Sequence, residues 1–241
     1  MNLFYIPELN TENTAFLNEE ESRHCIKALR MQEGDNVQFT DGKGHFFTAT
    51  ISEASHKKTQ LHIIETTVVS GQTPRLHIAI APTKNINRTE WFLEKATEIG
   101  IYKITPVYSF HSERKVIKPE RLEKILVSAM KQSLKARLPI LEQEISFTDF
   151  IQNENEKNRY FAYCGEMEKR LLQQIYPVGE DATILIGPEG GFSPEEAALA
   201  ISHGWKPVSL GSARLRTETA GIAACHTFNM LNETEIYTIK E

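Results

Sequence analysis

The strongest constraint on the fold lies near the C-terminal end, in residues 183–220. Two short apolar runs there each stop at a glycine, Thr183-Ile184-Leu185-Ile186-Gly187 and Val208-Ser209-Leu210-Gly211. Runs this short, with no polar alternation, suit strands buried on both faces of a parallel sheet. In open α/β sheets ligands sit beyond the carboxyl ends of such strands. The first run leads into Pro188-Glu189-Gly190-Gly191, where two residues lack a Cβ and the backbone can approach a ligand closely. A helix start follows: Ser193 as N-cap, Pro194 at the first helical position and Glu196 completing a capping box. The second run leads into the cationic loop 212–216 and then Thr217-Glu218-Thr219-Ala220. Neither loop has the GxxxxGK[ST] or GxGxxG spacing of a nucleotide-phosphate cradle.

A chain of 241 residues suits one large and one small domain. The N-terminus has no basic segment followed by an apolar run, so no signal peptide is expected. No stretch approaches the about 18 consecutive apolar residues that a membrane span needs. Cys25, Cys164 and Cys225 are far apart and odd in number, which fits reduced thiols and a cytoplasmic location. The histidines and cysteines show no metal-ligand spacing. Charge is segmented. Residues 1–74 carry 6 Lys/Arg against 10 Asp/Glu, residues 75–140 carry 13 against 6, and residues 141–241 carry 8 against 16. A basic middle between acidic ends is the asymmetry of a local anion-binding face, or of a charge-mixed solvated surface.

Residues 1–73 read as a small β-rich domain. Asn18 can cap a helix over 19–29, acidic in its first turn and basic in its last. Strand-like runs at 34–40 and 45–51 flank Asp41-Gly42-Lys43-Gly44, a strong hairpin signal, and a third run covers 59–67. Short strands at this spacing suggest a small barrel. Residues 70–74 read as a linker, and from residue 74 strands alternate with helices. Strands are expected at 76–81, 102–107 and 160–164, and helices at 88–99, from Pro119 to the Pro139 region, at 148–153, at 168–176 and at 219–232. The pattern predicts an α/β domain with a mainly parallel sheet over 74–241.

These motifs, taken together, resemble the RsmE family, the small-subunit ribosomal RNA uridine-N3 methyltransferases of the SPOUT superfamily. The resemblance rests on Ile186-Gly187-Pro188-Glu189-Gly190-Gly191-Phe192-Ser193-Pro194-Glu195-Glu196, on Leu210-Gly211 and on Leu215-Arg216-Thr217-Glu218-Thr219-Ala220. It extends to Arg23-His24, Ala28-Leu29-Arg30, Gly34-Asp35 and Asp41-Gly42-Lys43-Gly44 in the first domain. In the second it includes Lys84 and Glu94-Lys95-Ala96-Thr97-Glu98-Ile99-Gly100-Ile101. It implies an N-terminal PUA-like barrel, a C-terminal α/β sheet with a deep trefoil knot, S-adenosylmethionine held by the knot loops, and a homodimer. Two places depart from the family pattern. Ala213 and Arg214 stand where an arginine and then an apolar residue are usual, and Lys131-Gln132-Ser133-Leu134-Lys135 replaces a Glu-Gln pair followed by arginine. Arg214 is the neighbouring guanidinium that could take the missing arginine's place.

The resemblance implies cofactor contacts at Ile186, Gly187, Pro188, Glu189, Gly190, Gly191, Leu210, Gly211, Leu215, Thr217 and Ala220, with no metal. A buried adenine favours apolar walls and a few backbone hydrogen bonds. Uridine N3 must lose its imide proton as it is methylated. Arg216 is the candidate for stabilising the resulting charge, and Glu218 is the candidate base or the group that orients Arg216. RNA contacts are expected from Lys84, Arg88, Arg114, Lys131, Lys135 and Arg137, with Arg23, His24, Arg30 and Lys43 from the first domain; 16S rRNA, within the small subunit, is the implied partner. Plainer readings are salt bridges and solvated surface. Alternative functions are a SPOUT enzyme acting on a ribose 2′-oxygen, and an RNA-binding module without turnover.

Overall fold

The computed structural model describes residues 2–9, 11, 13–71 and 73–233. Gln72, inside the expected linker, lies outside the described residues. The chain forms two compact units: the N-terminal residues through Gly71 together with Leu126–Leu138, and the remainder.

The first unit contains β1 (Leu3–Tyr5), β2 (Thr14–Phe16), α1 (Glu19–Arg23), β3 (Asn36–Thr40), β4 (His45–Glu53) and β5 (Gln60–Val68). They form a half-barrel sheet in the order β1-β3-β4-β5-β2. The inward positions Phe39, Phe47, Ala49, Ile51 and Leu61 fill its core. The expected helix starts where predicted, with the Asn18 side chain accepting from the Glu21 N–H at 2.9 Å. It does not continue as one α-helix. From His24 to Ala28 the turns widen, and the Leu29 N–H bonds the His24 carbonyl five residues back. The hairpin is held by the Asp41 carboxylate, which accepts from the Lys43 N–H at 2.7 Å and the His45 N–H at 3.2 Å. β1 and β2 carry no periodic signal at three residues each, and they close the sheet's two edges.

The second unit begins with β6 (Leu76–Ile80), α2 (Ile86–Ile99), β7 (Lys103–Tyr108) and the first half of α3 (Pro119–Gln132), whose residues from Leu126 on belong to the first unit. It continues through β8 (Ile140–Leu141), β9 (Ile145–Ser146), α4 (Phe147–Asn153), β10 (Arg159–Ala162), β11 (Arg170–Leu171) and α5 (Leu172–Ile175). It ends with β12 (Ala182–Ile186), α6 (Pro194–Ser202), β13 (Lys206–Ser209) and α7 (Thr217–Asn232). The strands form one sheet, β11-β13-β10-β12-β6-β7-β8, with β9 also paired to β7, and every pairing is parallel. β6 and β12 are neighbours, and all five residues of each are buried, as the uninterrupted apolar runs predict. Residues alternate between the two faces. Ala79, Phe161 and Leu185 meet the aromatic core of Phe150, Phe192 and Trp205 beside α4 and α6. Ile80 points the other way, towards α7, where a Cβ on Gly221 would lie 3.1 Å from it and 2.6 Å from the Phe92 ring of α2. The α2–α7 packing therefore depends on a residue with no side chain. No helix among the described residues is long and apolar enough to cross a membrane.

The region after α3 departs from the sequence expectation. From Leu126, within α3, to Leu138 the chain belongs to the first unit, and there Leu134 takes a positive φ of 53°. The Ala136 carbonyl accepts from Thr40 Oγ1 at 3.1 Å and the Gly44 N–H at 2.9 Å. The short segment expected as a helix at 168–176 splits into a two-residue edge strand and one helical turn.

Candidate active site

The loops that follow β10, β12 and β13 all leave the carboxyl edge of the parallel sheet. Those after β10 and β13 enclose a cavity of about 710 Å³. Its apolar lining comes from Ala162, Val208, Leu210, Leu215 and Ala220, and its polar lining includes Lys169 and Arg214. Among the described residues the backbone N–H groups of Ser212, Ala213 and Leu215 reach no backbone carbonyl. Ser212 and Ala213 are exposed, and Leu215 is half-buried, so the Leu215 N–H in particular calls for a partner. An apolar cleft edged by free backbone donors is what an adenosine requires, so the residues present fit a nucleoside-bearing cofactor.

Of the residues singled out in the sequence, Leu210, Gly211, Leu215 and Ala220 line this cavity. Ile186 is buried at the end of β12. The loop after it is tied to the cavity's rim by Thr217, whose hydroxyl donates to the Gly187 carbonyl at 3.0 Å. Pro188 accepts from the Gly191 N–H at 2.9 Å, closing the turn. Glu189 accepts from the Lys84 N–H at 3.1 Å. Gly190 is packed so closely that a Cβ would sit 2.9 Å from the His111 side chain, and His111 Nδ1 lies 3.1 Å from the Gly191 carbonyl oxygen. The first glycine loop is therefore anchored by the loops after β6 and β7, and the second forms most of the cavity wall.

The third wall, Ala162 to Cys164, is not among the residues proposed from sequence. Its signal was present: Tyr160-Phe161-Ala162-Tyr163-Cys164 is another short, mainly apolar run closed by a glycine, Gly165. Arg214, standing beside the departure at Ala213, lines the same cavity.

Arg216 is the N-cap residue of α7 and is exposed. Glu218, in the first turn of α7, is 7% exposed. Its Oε1 lies 3.8 Å from Arg88 Nε, and its buried Oε2 has no hydrogen-bond partner among the described residues. The structure thus pairs Glu218 with Arg88. An unpartnered carboxylate oxygen is costly in a buried setting and is a natural acceptor for a proton brought by a ligand.

The expected RNA-facing cations divide into several groups. Lys84 pairs with Glu113 at 2.7 Å. Arg114 donates to the Thr83 carbonyl at 3.0 Å and the Lys84 carbonyl at 2.7 Å, bracing the loop after β6. In the first unit Arg23 pairs with Glu19, and Lys131 with Glu21 at 2.5 Å. Arg137 donates to the Lys43 carbonyl at 2.7 Å and the Val69 carbonyl at 3.0 Å. His24 sits edge-on to Phe4. Lys135 is half-buried and also engaged. Arg30 and Lys43 are exposed, and among the described residues their side chains make no ion pair.

Comparison with known proteins fits this geometry. A family model described as an RNA methyltransferase domain matches residues 71–229, and one described as an RNA methyltransferase PUA domain matches residues 17–64. The chain belongs to the RNA methyltransferase family of the RsmE type. A family member from Rickettsia conorii, ribosomal RNA small subunit methyltransferase E, is 29% identical over 95% of this chain and 96% of its own length. Among solved structures, a probable rRNA-methyltransferase of Porphyromonas gingivalis is 42% identical with a TM-score of 0.89, covering 96% of this chain and 98% of that one. The Neisseria gonorrhoeae ribosomal RNA small subunit methyltransferase E, solved bound to S-adenosyl methionine, is 25% identical with a TM-score of 0.83, covering 96% and 98%. The RNA methyltransferase match spans all three loops of the site, and the PUA match lies within the half-barrel.

Proposed function

We propose that this chain methylates N3 of a uridine in the 16S rRNA of the small ribosomal subunit, with S-adenosylmethionine as donor. The observation that carries the reading is the cavity walled by the loops after β10 and β13 and tied through Thr217 to the glycine loop after β12. Leu210, Gly211, Leu215 and Ala220 would hold the adenosine, with Ala162 to Cys164 as the opposite wall, and Gly187 to Gly191 would close over the remainder. The bound cofactor supplies a methyl group already activated on sulfonium. The protein's own task is then positioning, which can lower a barrier by about 7–11 kcal/mol.

Two side chains serve the uridine. The imide proton leaves N3 as the N3–carbon bond forms, and the Glu218 carboxylate accepts it at the oxygen that has no partner. Arg88 at 3.8 Å holds that carboxylate in place. Negative charge on the flanking carbonyl oxygens is met by the exposed Arg216 guanidinium at the start of α7. The methyl moves from sulfur to N3, the sulfonium charge is lost, and the proton ends on Glu218. A paired or stacked uridine must first be extruded. Phosphate contacts from Arg30 and Lys43 in the first unit and from Lys84 and Arg88 in the second would position the RNA. A homodimer, a chain crossing at the two glycine loops that makes the trefoil knot, and a cytoplasmic location complete the reading.

The test is transfer of labelled methyl to small subunits lacking the modification, followed by mass spectrometry of the nucleosides. 3-Methyluridine is expected. A ribose methyl would assign the chain to 2′-oxygen chemistry, and no transfer, with no cofactor binding by calorimetry, would make it an RNA-binding module.

A further inference from the structure

A second cavity, of about 610 Å³, opens on the same carboxyl edge of the sheet, beside the ends of β7 and β9 and the start of α6. In the strand order it lies three steps from β10, at β7. At about 4.8 Å per strand that is roughly 14 Å from the methyl-transfer cavity. Its lining combines Tyr108, Phe110, Phe147, Ser193, Glu195 and Glu196.

Two features there lack a structural explanation. Phe110 is 75% exposed, although the turn that carries it is firmly held. Its own N–H donates to Glu196 Oε1 at 2.8 Å, and the turn is closed by the Ser109 N–H to Ser112 Oγ at 3.0 Å and the Ser112 N–H to the Ser109 carbonyl at 3.1 Å. His111 lies edge-on to it, with ring centroids 4.9 Å apart. A large ring presented on a rigid turn can stack at little entropic cost. Next, the Tyr108 hydroxyl is buried at the cavity and has no hydrogen-bond partner among the described residues. Beside them Glu195 is exposed at the cavity's edge, where its carboxylate accepts from the Ser193 hydroxyl at 2.8 Å and from its own N–H and stays open to a donor from solvent or a ligand.

We propose that this cavity is a base-reading site, in which Phe110 stacks on a nucleobase near the target uridine, the Glu195 carboxylate accepts two adjacent N–H donors from its edge, and the Tyr108 hydroxyl donates to a carbonyl oxygen. Guanine is the base with that edge: N1–H and the exocyclic amine side by side, next to O6. Uracil offers one donor between two acceptors, and adenine and cytosine each offer a donor beside an acceptor. Single-stranded RNA is read in this manner, by stacking on aromatic rings and hydrogen bonds to base edges. RNA is favoured over a protein partner because the same turn runs on to the exposed Lys115 and Lys118, a phosphate-compatible flank. The inference rests on the RNA methyltransferase reading for its class of ligand.

The test is fluorescence anisotropy with the full chain and short oligouridine RNAs carrying a single central guanosine, inosine or adenosine. Wild type should prefer guanosine to inosine and adenosine by about tenfold or more, as expected for a lost hydrogen bond to a charged group. Phe110→Ala should weaken all three by about tenfold or more. Glu195→Gln keeps an acceptor for Ser193 and should abolish the preference for guanosine over inosine, and Tyr108→Phe should weaken guanosine and inosine alike. Wild-type affinity in Phe110→Ala, or an undiminished guanosine preference in Glu195→Gln, overturns the proposal. So does sedimentation showing that Phe110→Ala dissociates a dimer and loses RNA only through that change, which would make the surface a contact between copies. Calorimetric cofactor binding, run in parallel, separates the two readings: a chain that ignores the cofactor but prefers guanosine sinks the methyl-transfer reading and leaves this site standing.

Discussion

At the scale of single residues, Arg216 and Glu218 stand at the start of the same helix in opposite settings. One is exposed, while the other is buried with one oxygen unsatisfied and the other facing Arg88. An exposed guanidinium whose loss leaves no buried charge behind can be removed without disturbing the fold. Arg216→Ala should therefore lower kcat by about 10²–10³-fold, the range for losing one donor to a developing oxyanion. Cofactor affinity should stay within a factor of about two. Single-turnover methyl transfer with calorimetry reads both quantities, and wild-type turnover would remove Arg216 from the chemistry. Glu218→Gln keeps the shape and removes the proton acceptor, so it should depress kcat at every pH.

At the scale of elements, the parts legible in the sequence were those with dense local signals. The capping box at Ser193 is present with both hydrogen bonds, at 2.9 and 3.2 Å. The buried strands ending near Gly187 and Gly211 and the Asp41-Gly42 hairpin carry their information within a few residues. β1, β2 and β11 did not, because strands of two or three residues show no period and are defined by distant partners. The attachment of Leu126–Leu138 to the first unit was equally invisible, because an amphipathic helix does not reveal what covers it. The cavity's third wall was missed for a different reason: Ala162-Tyr163-Cys164 lacks a paired glycine motif, although it follows the same strand-then-glycine rule. The small residues Ala220, Gly221, Ala223 and Ala224 of α7 are compatible by themselves with close packing or with plain burial. Gly221 decides between them, since a Cβ there meets the Phe92 ring at 2.6 Å. Gly221→Ala should gain up to about 1 kcal/mol of helix propensity. It should lose about 1–3 kcal/mol to overpacking against α2. Net destabilisation in urea is the expected result, and a stabilised variant would show that the α2–α7 contact is looser than described.

At the scale of the whole molecule, two long-range electrostatic features stand out. One is the uneven charge along the chain, with a basic middle between acidic ends. Several cations of that middle are already engaged by carboxylates or carbonyls, and Arg30 and Lys43, exposed in the first segment and without an ion pair among the described residues, are the cleaner probes of RNA contact. Reversing both should reduce the salt slope of RNA binding by about 2 while the urea midpoint stays put. An unchanged slope would place the RNA elsewhere. The other feature is a buried polar network across three central strands. His77 of β6 has Nε2 2.8 Å from Thr105 Oγ1 on β7, and Nδ1 3.0 Å from Glu154 Oε2 and 3.4 Å from Thr183 Oγ1 on β12. Burial holds the His77 imidazole below its ordinary value of 6.5. Burial works to raise the Glu154 carboxyl, but hydrogen bonds from His77 and the Glu156 N–H prevail and hold it at about 2, against an ordinary 4.5. Both groups are depressed in the folded chain, so the unfolded chain binds protons first as pH falls. Stability is fully present above pH 6.5, declines below it as unfolded His77 protonates, and declines again between 4.5 and about 2 as unfolded Glu154 does. The carboxyl's share, at 1.36 kcal/mol per pH unit, is on the order of 3 kcal/mol. Urea midpoints measured from neutral to acid pH should show both declines. His77→Gln, which keeps hydrogen bonding but cannot titrate, should flatten the upper one and reduce the lower. An upper decline that survives His77→Gln would assign the acid sensitivity to another histidine and leave this network with a packing role alone.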